Sequence, residues 1–389
     1  MSRRISAFYI IMCMLLCVLS PTAAAGSIII EDELISAEPT ADAFAENPQN
    51  GGADLAAYQQ PPAQSEYPGD AIQIVVTAGG DVTLGCTQKQ SESEAGFTNV
   101  IKQNGYSWPF SALSEILSAD DLTLVNFEGT LTESDDAHEK LYNFKGPADY
   151  VNILTAGSVD AVNLANNHFH DYGEQGKVDT KAALADAGIK YCAEGEPTVY
   201  ETKGVKIGLI GNTFPYTNGQ RDIKKSVAAL REQGCRIIIA SFHWGSEYEA
   251  KFTGEQRSIG RAAIDAGADV VIGHHPHVLQ GVELYKGKYI IYSLGNLVFG
   301  GNVNPEDKDA FLARVTFTVP ADIAEATPPP VFEMIPIRLT ELAKGTDYRP
   351  VPAVGQEALR IRDRALRLSK EVNTIEIADI YNNITIEDE

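Results

Sequence analysis

"VVIGHHPHVLQG", Val270–Gly281, places His274, His275 and His277, three of the chain's seven histidines, within four positions. The residues before them are apolar and largely β-branched, the composition of a buried strand. A buried strand that ends in imidazoles is either a turn that happens to be rich in histidine or one edge of a site. In open α/β sheets ligands collect beyond the carboxyl ends of strands. The question is therefore whether other strands end the same way.

Working outward, the chain from Ala71 alternates short apolar strands with helical stretches. Strands are expected at 72–78, 122–127, 160–165, 205–211, 236–242 and 268–273, and helices at 109–119, 148–156, 176–187, 221–233 and 256–266. The rhythm then changes to strands alone, at 282–285, 289–295, 311–319 and 331–339, before a C-terminal helix at 356–372. An α/β half followed by antiparallel strands predicts an α/β fold with mixed sheets, two of them packed together and helices outside.

Polar residues cluster where these strands end. Asp81 follows the first, Asn126 and Glu128 the second, and Asn166, Asn167, His168, His170 and Asp171 the third. His243 and Glu247 follow "RIIIA", the histidine triplet follows "ADVVI", and Asn296 follows "YIIY". Six such ends predict one site assembled from six loops, and of the histidines only His138 lies elsewhere. Asp, Glu, Asn and His supply oxygen and imidazole donors, which suit Mn, Fe or Zn. Two metals about 3.5–4 Å apart that share a carboxylate activate water and stabilise a displaced oxyanion. The competing reading is a metal-free acid–base site built on His168 and Asp171.

Composition bounds the rest. The 389 residues are 44% hydrophobic and 8% aromatic, ample for a soluble globular core. A net charge of −22 disfavours nucleic-acid partners, whose phosphates it would repel. Residues 1–25 read as a secretory signal: Arg3 and Arg4, an apolar run Ala7–Leu19, then Ala23–Ala25, with an uncleaved N-terminal membrane anchor as the alternative. Either places the functional domain outside the cytoplasm. Residues 26–70 hold nine acidic residues and no Lys or Arg, the composition of a disordered spacer. Cys86, Cys192 and Cys235, widely spaced, suggest neither a disulfide framework nor a thiolate zinc site. The domain is expected over 71–340, with a helical extension over 341–389.

The series "GDVTLG", "NFEGTLT", "LANNHFHDYG", "HWGSEY", "GHHPHVLQG" and "SLGNLVFG" resembles the CapA family of capsule or poly-γ-glutamate biosynthesis proteins, relatives of the calcineurin-like metallophosphoesterases. The resemblance covers about residues 72 to 300 and implies a four-layer α/β/β/α sandwich, a bacterial surface protein and one or two divalent metals. Carried over residue by residue, it makes Asp81, Glu128, Asn167, His243, His275 and His277 metal ligands, with Glu128 as the bridging carboxylate. His168 would protonate a leaving group, and Asp171 and His274 join it as candidate catalytic positions; Asn126, Asn166, Glu247 and Asn296 would support the ligands. The family pattern begins Asp-x-His, but Thr83 stands where that histidine would be, so a mononuclear centre is as open as a binuclear one.

Other features carry weaker signals. Lys145 could meet a phosphate or carboxylate or be a solvated surface residue, and "GNTFPYTNG" (211–219) could rim the pocket. Arg360, Arg362, Arg364, Arg367 and Lys370 form a basic face that could dock on an anionic polymer or be solvated. Two function classes follow. The first is an exported metal-dependent hydrolase or transferase acting on a phosphoester or on an amide such as a γ-glutamyl bond. The second is a non-catalytic, metal- or polymer-binding part of a capsule machine, alongside membrane-bound synthesis components.

Overall fold

The computed structural model describes residues 71–215, 219–322 and 324–372. The expected signal at 1–25, the spacer at 26–70 and the end of the C-terminal extension lie outside the described residues. Among the described residues no helix is long and apolar enough to cross a membrane.

The strands are β1 (Ile72–Thr83), β2 (Leu122–Phe127), β3 (Thr130–Leu131), β4 (Lys145–Gly146), β5 (Ala161–Asn163), β6 (Lys190–Cys192), β7 (Thr198–Thr202) and β8 (Val205–Thr213). They continue as β9 (Ile237–His243), β10 (Val270–His274), β11 (Val282–Tyr285), β12 (Lys288–Ile291), β13 (Asn296–Phe299), β14 (Asp309–Val319), β15 (Val331–Arg338) and β16 (Val351–Pro352). One sheet runs β16-β15-β14-β1-β2-β5-β6, with β13 also paired to β1; the second runs β11-β12-β10-β9-β8-β7; β3 and β4 pair alone. In the first sheet β1, β2, β5 and β6 are parallel and β14–β16 antiparallel. In the second, β8, β9, β10 and β12 are parallel, flanked by antiparallel β7 and β11.

Period-two alternation explains the layering, because successive strand residues face opposite ways. Ile74, Val76 and Ala78 of β1 share one buried cluster with Ile237 and Ile239 of β9 and Val270 and Ile272 of β10, which is the core between the sheets. Val125 and Phe127 of β2 face the other way, into a cluster with helical Ile101, Ile153 and Leu184. Ile238 and Ala240 of β9 meet Val227, Leu230 and Ile259 of the helices Gly219–Glu232 and Gly254–Ala266. Two packed sheets therefore lie between two helical layers, as expected.

Two glycines let the layers close at the functional edge. Strand β1 pairs with β14 through Ala78 and, after a break in register, with β13 from Asp81 onward. At Gly80 within that break a Cβ would lie 2.0 Å from the Gly295 carbonyl oxygen, and at Gly273 one would lie 2.1 Å from that of Tyr292. No other residue fits either place without moving backbone.

The structure corrects several expectations. Residues 109–119 are not one helix. Successive bonds from Ser111 N to Trp108 O, Leu113 N to Phe110 O and Ile116 N to Leu113 O make a run of tight turns, and only Ser114–Leu117 is helical. The indole of Trp108, bonded to Asp347 O at 2.8 Å, holds that run against the C-terminal segment. Asn296 does not follow a strand of its own sheet but opens β13, which has crossed to the other sheet. The helix Gly355–Ser369 buries Ala358, Ile361 and Ala365 in the core between the sheets, so it is part of the sandwich. Two of the five residues of its basic face are committed: Arg360 pairs with Asp309 and Glu357, and Arg364 with Asp307 and Asp309. Lys145 is likewise engaged, with Ser134 O and Asp135. Cys86, Cys192 and Cys235 are free and buried.

Candidate metal centre

The two sheets present their carboxyl ends at the same edge. From the first sheet come Asp81 near the end of β1, Asn126 and Glu128 at and beyond the end of β2, and the loop 164–172 after β5. From the second come His243, the last residue of β9, His274, the last of β10, and the turn that follows it. Residues 196 positions apart in sequence are thereby brought into contact: Asp81 Oδ2 lies 3.1 Å from His277 Nδ1.

Asp81 is fully buried. Burial works against its charge, but the hydrogen bond and charge of His277, with His274 and Asn126 in support, hold the carboxyl below its usual range. Its Oδ1 accepts from Asn126 Nδ2 at 2.8 Å, and Oδ2 lies 3.3 Å from the His275 amide. The same Asn126 amide reaches His243 Nδ1 at 3.3 Å, and its oxygen accepts from Asn163. Asn126 is therefore the crossbar between the sheets. Burial opposes the charge of His277 too, yet Glu128 and Asp81 carry its imidazole up to about 9.

Glu128 is the centre of the arrangement. Its Oε1 is buried and makes no hydrogen bond, yet lies 3.6 Å from His243 Nε2, 3.8 Å from His168 Nε2 and 3.9 Å from His277 Nε2. Burial pushes this carboxyl well up; His277 opposes the push, and Asp81, Glu247 and Asp171 add to it. A buried oxygen without a partner costs about 1–3 kcal/mol, more when charged. Donors around one cation at about 2.1 Å sit roughly 3–4 Å apart, the spacing seen here and too long for hydrogen bonds. The donor set thus fits a divalent cation.

His243, His275 and His274 are held toward the neutral state that ligates metal, whereas His277 must first give up its proton. Burial, with neighbouring imidazoles, drives His243 well below its ordinary value; burial drives His275 down and His274 to about 4. Two groups of potential ligands share Glu128, namely Glu128–His243–His275 and Asp81–Glu128–His277, each with its ligand atoms within 4.8 Å of one another. Asn167 Oδ1 stands 2.8 Å from His243 Nε2. His277 Nδ1 is 2.9 Å from Asn296 Oδ1, which leaves Nε2 facing the centre. Around Pro276 both His275 (φ +95°) and His277 (φ +57°) occupy the left-handed region. Such backbone costs about 1–3 kcal/mol per residue and concentrates at functional sites.

His168 faces the same oxygen from the other side. Asp171 Oδ2 holds its Nδ1 at 2.8 Å and also accepts from Phe144 N, while the other carboxylate oxygen meets Lys140. Phe144 covers the His168 ring at 4.5 Å between centroids. Asn166 braces this loop, donating to Phe127 O and accepting from His168 N. His274 sits behind Asp81, 3.6 Å from Oδ1, with neither ring nitrogen hydrogen-bonded. His170 points outward, and Trp244 packs in the outer core. Phe214 donates its amide to His243 O, so the described residues 211–215 of the 211–219 segment border the site. Sequence reasoning missed Lys140, Asn163 and Phe144. Asn163 was visible in "DAVNLA" as a polar strand end; the other two reach the site along a loop of no regular structure.

Fold and site together define an α/β sandwich with a buried His, Asn and carboxylate centre at the shared edge of two sheets. A family model described as "Bacterial capsule synthesis protein PGA_cap" matches residues 75–301, and the chain belongs to that family. The chain is 28% identical over 296 residues to the capsule biosynthesis protein CapA of Bacillus anthracis, covering 67% of this chain and 70% of that one. It is 30% identical over 264 residues to the PGA biosynthesis protein CapA of Bacillus subtilis (strain 168), covering 60% and 69%. Among solved structures it is similar to a hypothetical protein from Thermus thermophilus, with 14% identity, a TM-score of 0.41, and coverage of 67% of this chain and 99% of that one.

Proposed function

We propose that the protein is an exported, metal-dependent hydrolase that works at the cell surface with the membrane-bound machinery making or exporting a poly-γ-glutamate-type polymer. The metals would be one or two of Mn, Fe or Zn, and the bond cleaved a phosphoester or a γ-glutamyl amide. The observation that carries this reading is Glu128 Oε1, buried, without a hydrogen bond, and faced by three imidazole nitrogens at 3.6–3.9 Å. The N-terminal pattern of Arg3, Arg4 and the apolar run Ala7–Leu19 supports export.

Asp81, Glu128, Asn167, His243, His275 and His277 would hold the cations. A bound cation supplies Lewis acidity and lowers the pKa of a bound water. The chain's own residues do the rest. His168 presents Nε2 to the centre and delivers a proton to the leaving group, while Asp171 fixes the ring through Nδ1. Lys140 neutralises Asp171, and Phe144 excludes water from one ring face. With a net charge of −22, capture of a polyanion depends on this local surface rather than on long-range attraction.

The test is elemental analysis of protein reconstituted with Mn, Fe or Zn, followed by hydrolysis of an aryl phosphate and of γ-glutamyl oligomers. At least one equivalent of metal and chelator-sensitive cleavage of one substrate are expected. Metal with cleavage of neither substrate would overturn the catalytic reading in favour of a polymer-binding component.

A further inference from the structure

In the Asp-x-His pattern that opens the site, Thr83 stands at the third position. Its hydroxyl is buried and donates to Glu128 O at 2.8 Å, so it braces the backbone and offers nothing to a cation. The group Asp81–Glu128–His277 is therefore one ligand short on that side. Charge is short as well. Asp81 and Glu128 bring two negative charges, which balance a single divalent ion, and Asp171 is already engaged by Lys140 and His168. A further carboxylate would balance more of a second cation's charge.

Glu247 is such a carboxylate. It lies on the loop after β9, and its carboxylate forms a third group of potential ligands with His275 and His277, the ligand atoms within 4.8 Å of one another. Among the described residues this carboxylate has no ion pair within 4.0 Å, unlike Glu283 or Glu357, which are held by arginines. The loop is fixed to the histidine turn: Tyr248 N donates to Pro276 O at 2.8 Å, and Gly245 (φ +82°) and Tyr248 (φ +63°) both adopt left-handed backbone. On the other side, His275 Nδ1 is buried and without a hydrogen-bond partner.

We infer that Glu247 is a metal ligand that completes, with His275 and His277, the cation position left incomplete by Thr83; this rests on reading the centre as a metal site. Because Glu247 is exposed, this position opens to solvent, and its cation is the more readily exchanged of two.

The experiment is equilibrium dialysis of the full chain against free Mn2+ spanning the parent's weaker dissociation constant, with bound metal counted by elemental analysis. Parent and Glu247→Gln are compared, and their denaturation midpoints are measured in EDTA. The expected result is one equivalent fewer in Glu247→Gln with an unchanged midpoint, because an exposed, unpaired side chain contributes little to the metal-free fold. Equal stoichiometry and affinity in the two proteins would overturn the inference while leaving the metal centre intact. A parent that binds no Mn2+, Fe2+ or Zn2+ would overturn both this inference and the proposed function.

Discussion

Glu128→Gln should make the metal-free protein more stable and the metal-loaded protein less so. The native carboxyl is buried, holds one oxygen without a hydrogen bond, and lies near the negative charges of Asp81, Glu247 and Asp171. Removing its charge relieves an uncompensated buried group, a gain of about 1–3 kcal/mol. At roughly 2 °C per kcal/mol for a domain of this size, the midpoint in EDTA should rise by about 2–6 °C. Linkage adds a pH signature. A carboxyl whose pKa is raised in the fold keeps its proton after the unfolded chain has lost it, so the native state binds more protons and stability falls as pH rises above the unfolded value near 4.5. Glu128→Gln should flatten that fall. With Mn2+ at a thousand times its dissociation constant the parent gains about 4.1 kcal/mol and the variant little, so the order of stabilities reverses. Thermal and urea denaturation with and without metal measure both arms. A variant less stable than the parent in EDTA, and equally stabilised by Mn2+, would refute the account of Glu128.

His277→Ala should lose metal while keeping a cooperative unfolding transition, since the hydrophobic sandwich does not depend on it; dialysis followed by elemental analysis decides. His168→Ala should bind the parent's complement of metal and turn over about 10²–10⁴-fold more slowly, the usual contribution of a positioned acid. In the metal-free fold His277 titrates at about 9, above the unfolded value of 6.5, so the stability it contributes is complete below 6.5 and lost as pH rises toward 9. Metal must displace that proton, so affinity should rise over the same range, with proton uptake by buffers of different ionisation enthalpy as the calorimetric check. Gly80→Ala should cost at least about 2 kcal/mol in urea denaturation, because its Cβ would sit 2.0 Å from the Gly295 oxygen.

The parallel part of the fold was legible because its strands are written in β-branched residues and end abruptly in polar ones. "ADVVI" before His274 and "RIIIA" before His243 leave little choice of element, and the strand ends supply the candidate ligands. What could not be read depends on tertiary contacts. The apolar spacing of Phe110, Leu113, Ile116 and Leu117 is helical in period, yet tight turns prevail there, with Trp108 anchored to Asp347. Lys140 gives no local signal, since only the folding back of its loop sets it beside Asp171. The arginines of the last helix looked available because their partners, Asp307 and Asp309, lie some fifty residues away. Thr83 was seen as a missing ligand, but its compensation by Glu247 required the loop after β9 to be placed over the histidine turn.

The candidate ligands divide between the sheets: Asp81, Glu128 and Asn167 belong to one, His243, His275 and His277 to the other. A cation held by both would act as a fastener across the seam that the apolar core between the sheets otherwise closes alone. Metal supply would then set how tightly the seam is shut, and the same chain would be a looser body where cations are scarce and a locked one where they are plentiful. Amides of β1 and β9 near the seam would report the difference, exchanging their hydrogens faster after chelation while those of β15 and β16, at the far edge of the first sheet, keep their pace.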